Sequence, residues 1–460
     1  MKSLQDRIDG AGGPLPMLRG SKIGQYVFPV APEFSNWRDE QEAWANTAVL
    51  LDQSHHMTDL YVEGPDTIRL LADLSINNYK NFGRNKAKQF VACNHDGYVI
   101  GDAVLFGLDD YRVNIVGRPH VPNWVQYHAL TGGYDVVVER DERTIVNGNG
   151  RGRRSYRFEV QGPKAWAILE KLNGGPIDEI KFFSMGQITI AGRRVRALKH
   201  GMAGAPGLEL WGPAAESELI RDAILETGRE FGLVQGGARA YSTASTESGW
   251  FASVLPAVYT DPKLADYRAW LPAAGFEATG SLGGSFVSDR IDDYYIRPLD
   301  AGYRFIDFEH DFIGRDALLA HKDEPHLKKV TLTWDIEDVM RIARSQFNDG
   351  DERFKFMEAP AAYFATFPFD TVLVNDERVG FSTYVVYSSN QRRWISLALV
   401  DAARVADGDV VEIVWGEPEG GSPRPIVERH QQTRVRAIVG PSPVVSQIRE
   451  GYRPYLDHSA

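Results

Sequence analysis

Two periods of hydrophobic patterning run along this chain. Apolar residues recur at helical spacing in Trp37–Ala45, with Ser35 or Asn36 as N-cap, and again in Asp66–Leu74, Pro122–Leu130, Pro163–Leu172 and Ala214–Phe231. Between these helices the period falls to two. Gln89–Val116 reads as a β-meander with turns at Asn94–Gly97 and Asp109–Asp110, and Tyr134–Glu139 and Ser155–Val160 are further strand candidates. The run VLLDQSHHMTDLYVEG reads as one more strand. In it Gln53, His55 and Met57 share one face and Ser54 and His56 the other, so a regular strand lets only one of the two histidines face a given cleft. Residues 1–36 carry Gly12, Gly13, Pro14, Pro16, Pro29 and Pro32 and are expected to be loop.

From about Lys329 the texture changes. VTLTW, DTVLVN, RVGFSTYVVYSS, WISLALV, DVVEIVW and TRVRAIV are short strands at regular spacing, the pattern of a compact sandwich or barrel, with Asp335–Pro360 as a partly helical insertion. The expectation is therefore an α+β region over 1–325 followed by an all-β domain over 326–460. The first region divides near 130–160 into two subdomains, the first completed by later segments. EGPDTIRLLADL and QGPKAWAILEKL, each a strand end, a Gly-Pro and an amphipathic helix, hint at two similarly built units.

A formal charge of −11 leaves no basic footprint for nucleic acid or an anionic membrane, and the basic run Arg151–Arg154 reads as an exposed turn. The one cysteine, Cys93, excludes an internal disulfide and is too few for a cysteine-based metal site. MKSLQDRIDG lacks the apolar stretch of a secretion signal, and no run approaches the roughly 20 apolar residues that cross a bilayer. A cytoplasmic protein with no nucleic-acid or membrane partner is expected.

The candidate chemistry sits in two stretches read as walls of one small-molecule site. In GMAGAPGLELW, small residues bring backbone close to a ligand just before Glu209, a carboxylate suited to gripping a guanidine-like pair of donors such as a pterin edge. GARAYSTASTESGW, too polar for a core and too aromatic for a linker, carries Tyr241, Glu247 and Trp250. Arg118, between Gly117 and Pro119 at a strand end, is placed to hold a carboxylate in forked geometry. His55 and His56 lack a third ligand cluster, so no metal is expected, and Asp102 reads as turn chemistry.

LDQSHHM, DGYVIGD, GMAGAPGLELW, ARAYSTASTESG and DFIGRDAL, in this order and spacing, resemble the folate-binding aminomethyltransferase superfamily, whose type member is the T protein of glycine cleavage. Within it, APEFSNWR, DQSHHM, NKAKQ, HGMAGAPGLELWGP and GGSFVS make the chain most similar to tetrahydrofolate-dependent O-demethylases of vanillate and syringate. The resemblance implies a multidomain ring with folate in a central channel. It implies that tetrahydrofolate accepts a methyl group from a methoxylated aromatic acid such as syringate, vanillate or 3-O-methylgallate. Glu209 then holds the pterin, with Gln53, Val116 and Trp250 lining its pocket; Arg118 takes the acid's carboxylate, with His56 and Tyr26 near its ring substituents and His55 and Phe28 also on the substrate side; Tyr241 is the catalytic tyrosine, and His56 is the second catalytic residue. Two departures matter. Gly101 replaces the first of two acids found in the glycine-cleavage branch, leaving Asp102 alone, which argues against amine transfer; Phe28 stands where the vanillate-type enzymes carry a tyrosine, which favours syringate. The alternatives are a folate-dependent amine demethylase and a non-catalytic folate binder. Relatives of the latter kind carry a cysteine in a GCYxGQE-like segment, whereas DFIGRDAL has none.

Overall fold

The computed structural model describes residues 2–23, 27, 29–144, 152–251, 254–349, 353–424 and 426–450. Its frame is two sheets and a closed barrel. The meander forms as its alternation predicts: Ala87–Cys93, Val99–Asp109 and Arg112–Gly117 pair in turn, and Thr58–Glu63 and Val137–Asp141 extend them to a five-stranded antiparallel sheet. A six-stranded sheet runs in the order Leu233–Gly236, Ala48–Asp52, Ser155–Gln161, Gly207–Pro213, Arg193–Leu198, Met185–Ile190. The early strand Ala48–Asp52 thus belongs with later segments, and the chain leaves one sheet and enters the other across residues 53–57.

Both Gly-Pro segments adopt the strand–turn–helix form their shared pattern suggests. Gly64 and Gly162 have φ of +153° and +137°, and a Cβ at either position lies 2.3 or 2.4 Å from a carbonyl oxygen of a neighbouring segment. Only glycine fits both the conformation and the approach. Six of the strands from Leu327 onward close into a barrel around Val330, Leu332, Trp334, Ile413 and Trp415, while Phe367–Pro368 pairs instead with Leu282–Gly283. Closure removes the exposed edges an open sheet carries. Phe381, Leu397 and Leu399 of the barrel also join the core of the first region.

The N-terminal expectation is corrected. Leu4–Ala11 and Pro14–Arg19 are helices, not loop. Ser3 and Asp6 form a reciprocal capping box, Gly12 ends the first helix in the left-handed conformation, and Pro14 opens the second at its first position. Of the residues read as breakers, Gly12, Gly13 and Pro14 are cap or first-position residues, and Pro16 lies in the first turn of the second helix. The run after Gly237 is likewise a helix, Ala238–Glu247. Among the described residues no helix is long and apolar enough to cross a membrane.

Candidate active site

The crossing between the sheets opens onto a cavity of about 1450 Å³. Sites for one drug-sized ligand occupy roughly 300–1,000 Å³, so this cavity has room for two reactants. The crossing is a turn and not a continuous strand. Asp52 Oδ1 accepts from Ser54 N at 2.9 Å, while Gln53 N donates to Arg157 O and Ser54 Oγ accepts from Arg157 N, each at 2.9 Å. The face assignment made for a regular strand therefore fails. Gln53, His56 and Met57 reach the cavity together, whereas His55 does not line it; its Nδ1 is 3.0 Å from Thr144 Oγ1 and its Nε2 3.9 Å from Asp52. Of the two histidines, His56 is the one that lines the cavity.

Glu209, 3 % exposed, is among the residues that line the cavity. Burial opposes its charge, but Arg157 and His200 outweigh burial and hold the carboxyl down at about 2. Arg157 is ion-paired to Oε1, and His200 Nε2 is 2.5 Å from Oε2. Arg157 also reaches Asp59 at 3.2 Å and Asp59 is ion-paired to Arg153, so a buried chain of alternating charge ties the two sheets together behind the site. The run read as an exposed turn thus contributes a buried tie through Arg153; Arg151 lies outside the described residues. Arg157, Glu159 and His200 were not singled out from sequence. Their signal is the alternation in SYRFEVQ, whose polar row Arg157, Glu159 and Gln161 is as buried as the apolar row between.

Glu159 is 0 % exposed and sits directly opposite Glu209 in the strand register. Its Oε2 accepts from Gln53 Nε2 at 2.6 Å and its Oε1 from Met202 N at 2.9 Å. The carboxylate thereby orients Gln53, whose Oε1 is buried without a hydrogen-bond partner among the described residues. The glycines of GMAGAPGLELW serve this packing more than a ligand. A Cβ at Gly207 meets Val160 O at 1.9 Å, and one at Gly201 meets Gln161 Nε2 at 2.6 Å.

Tyr241, on the helix from Ala238, lines the same cavity. Its hydroxyl is 2.9 Å from His56 Nε2 and 3.1 Å from Met202 Sδ. Burial, reinforced by Glu159 and Glu209, raises the phenol pKa well above its ordinary value. Burial, with Arg118 and Arg153, drives His56 down to about 3, so its ring is neutral and can accept. Glu247, on the far side of the same helix, accepts from Trp44 Nε1 at 2.9 Å and so anchors the helix.

Trp250 and Val116 line the wall, and Trp250 Nε1 donates to Asp102 Oδ2 at 3.0 Å. Asp102 is mid-strand, not a turn residue; it also accepts from Gln89 Nε2 at 2.7 Å, and burial raises its pKa. Arg118 borders the cavity, and among the described residues its guanidinium has no hydrogen-bond or ion-pair partner. Tyr26 and Phe28 lie outside the described residues. Among the described residues no group of three or more His, Cys, Asp or Glu side chains could hold a metal ion.

Residues 20–254 match the GCVT N-terminal domain family. The chain is 46 % identical over 453 residues, covering 98 % of each chain, to a syringate O-demethylase of a Sphingobium species. It is 30 % identical to a sesamin methylene transferase of a Sinomonas species, over 88 % of this chain and 89 % of that one. The fold is shared with the crystal structure of the glycine cleavage system aminomethyltransferase T from Bartonella henselae, at a TM-score of 0.61 and 17 % identity over 94 % of this chain and 98 % of that one.

Proposed function

This chain belongs to the GCVT family, whose members are tetrahydrofolate-dependent, and we propose that it is an aryl-ether O-demethylase. It moves the methyl group of a methoxylated aromatic acid (syringate, vanillate or 3-O-methylgallate) to N5 of tetrahydrofolate, releasing the phenol, in the cytoplasm. The observation that carries this reading is one cavity, large enough for two reactants, lined together by Tyr241 with its raised pKa, by Arg118, whose guanidinium has no hydrogen-bond or ion-pair partner among the described residues, and by Glu209 and Gln53.

The residues fit tetrahydrofolate. A pterin edge offers N–H donors, and Glu209 supplies an ionised carboxylate and Gln53 an Oε1 without a hydrogen-bond partner among the described residues as acceptors. Val116 and Trp250 add apolar wall. Tetrahydrofolate supplies the nucleophilic amine nitrogen. Arg118 holds the carboxylate of the aromatic acid, and holding both reactants in line removes on the order of 7–11 kcal/mol of entropic barrier in favourable cases.

An aryl methyl ether is inert because its leaving group is a phenolate. Tyr241 answers this by donating its proton to the departing oxygen as the methyl–oxygen bond breaks. The burial that raises the tyrosine pKa raises the basicity of a phenolate in the same cavity, so the two oxygens stay matched. His56, held neutral, orients the hydroxyl, and the proton that the amine nitrogen sheds on methylation balances the one Tyr241 gives to the phenol.

The test is incubation with tetrahydrofolate and each aromatic acid separately, with methyltetrahydrofolate followed by mass. Tyr241→Phe is expected to lower turnover by about two to four orders of magnitude while both reactants still bind. Near-normal turnover in that variant refutes the role of Tyr241; no product from any aromatic acid refutes the activity.

A further inference from the structure

Gly101, where the chain departs from the glycine-cleavage branch, has a steric reason to be glycine. A Cβ built there lies 2.2 Å from His120 Nε2 and 2.3 Å from His120 Cδ2, so the imidazole fills the space a side chain needs. His120 opens the helix His120–Thr131 just after Arg118 and Pro119, is 3 % exposed and forms part of the cavity wall. Its ring stacks on Phe276, another wall residue, with centroids 5.1 Å apart and planes 20° from parallel. Among the described residues neither of its nitrogens has a hydrogen-bond partner. Burial, with Arg118 and Arg143 nearby, takes its pKa down to about 3 and keeps it neutral. A neutral imidazole retains one N–H donor and one acceptor, and leaving them unused in a buried place is costly.

We propose that His120 is a specificity-determining residue for the donor substrate: with Arg118 it hydrogen-bonds the carboxylate of the aromatic acid, in a recess that exists because residue 101 is glycine. The inference rests on the O-demethylase reading. It adds to Arg118 a donor that brings no second charge, and the stack on Phe276 holds the plane of the ring. The cavity position of His120, adjoining an arginine whose guanidinium has no hydrogen-bond or ion-pair partner among the described residues, makes the carboxylate the natural acceptor.

Affinity and turnover for syringate and for 2,6-dimethoxyphenol, the same ring without the carboxylate, are compared in wild type, His120→Phe and Gly101→Ala. His120→Phe keeps a ring to stack on Phe276 and removes the N–H. It is expected to weaken syringate binding by about tenfold or more, as for loss of a hydrogen bond to a charged group, while 2,6-dimethoxyphenol and tetrahydrofolate binding stay within about twofold. Gly101→Ala, which pushes the ring from its place, should shift the same constant in the same direction. Unchanged syringate affinity in both variants, or equal weakening of both aromatics, overturns the inference in an enzyme that is otherwise active. A wild type that moves no methyl group from any aromatic acid overturns the functional reading, and the inference with it.

Discussion

Replacing Glu159 by glutamine should make the protein more resistant to rising pH. Burial is the main cause lifting the Glu159 carboxyl from an ordinary 4.5 to about 7; His200 opposes the lift and Glu209 adds to it. A carboxyl whose pKa is raised by folding contributes stability that is fully present below pH 4.5 and is lost as the pH rises through about 7. The interval corresponds to about 3 kcal/mol. Glutamine has nothing to titrate there, so the stability of Glu159→Gln relative to wild type should climb by an amount of that order between about pH 5 and pH 8. The hydrogen bonds can survive the change. The new side-chain oxygen still accepts from Met202 N, and the new amide can donate to Gln53 Oε1, now unpartnered, once the Gln53 amide turns over. Thermal and urea unfolding followed by tryptophan fluorescence across that range, read as variant minus wild type, cancels the other titrating groups. A difference that does not vary with pH refutes the reasoning. The turned Gln53 amide should meanwhile present a donor where the pterin needs an acceptor, so tetrahydrofolate affinity should fall even where the variant is the more stable protein.

Two further substitutions test the scaffold behind the site. Arg157→Met leaves Glu209 and Asp59 buried without their shared cation and should destabilise the protein by about 3–5 kcal/mol; a loss under about 1 kcal/mol in urea titration contradicts the network as described. Gly207→Ala forces a Cβ to within 1.9 Å of Val160 O at a φ of +153°, and should abolish the folded state or lower the melting temperature by many degrees. Gly192→Ala, at a φ of +73° with nothing within 4 Å, should cost only about 1 kcal/mol and serves as the control; equal effects at the two glycines refute the steric argument.

Much of the frame was legible because it rests on local periodicity. The meander, the helix capped by Asn36, the twin strand–Gly-Pro–helix units and the closing run of strands all appear where alternation and caps predict them. The N-terminal helices were missed because glycine and proline at helix ends look the same, one residue at a time, as glycine and proline in loops. The turn at residues 53–57 was missed for a different reason. Its apolar and polar residues suit a strand, and what breaks the strand is pairing to Ser155–Gln161 on one side and Arg112–Gly117 on the other.

Taken by itself, the chain determined which residue types lie near one another along the backbone: Glu209 after a glycine-rich approach, Tyr241 with Trp250, and Arg118 at a strand end. Tertiary structure alone decided which of those groups share a cavity and in what protonation state. It brought His56 to Tyr241 and turned His55 away, set Glu159 across from Glu209, and placed Arg157 so that one carboxyl is held near 2 while its neighbour rises to about 7. The reason is physical. Backbone periodicity is a short-range property, whereas desolvation and Coulomb interaction depend on distances through space that only the packed sheets define.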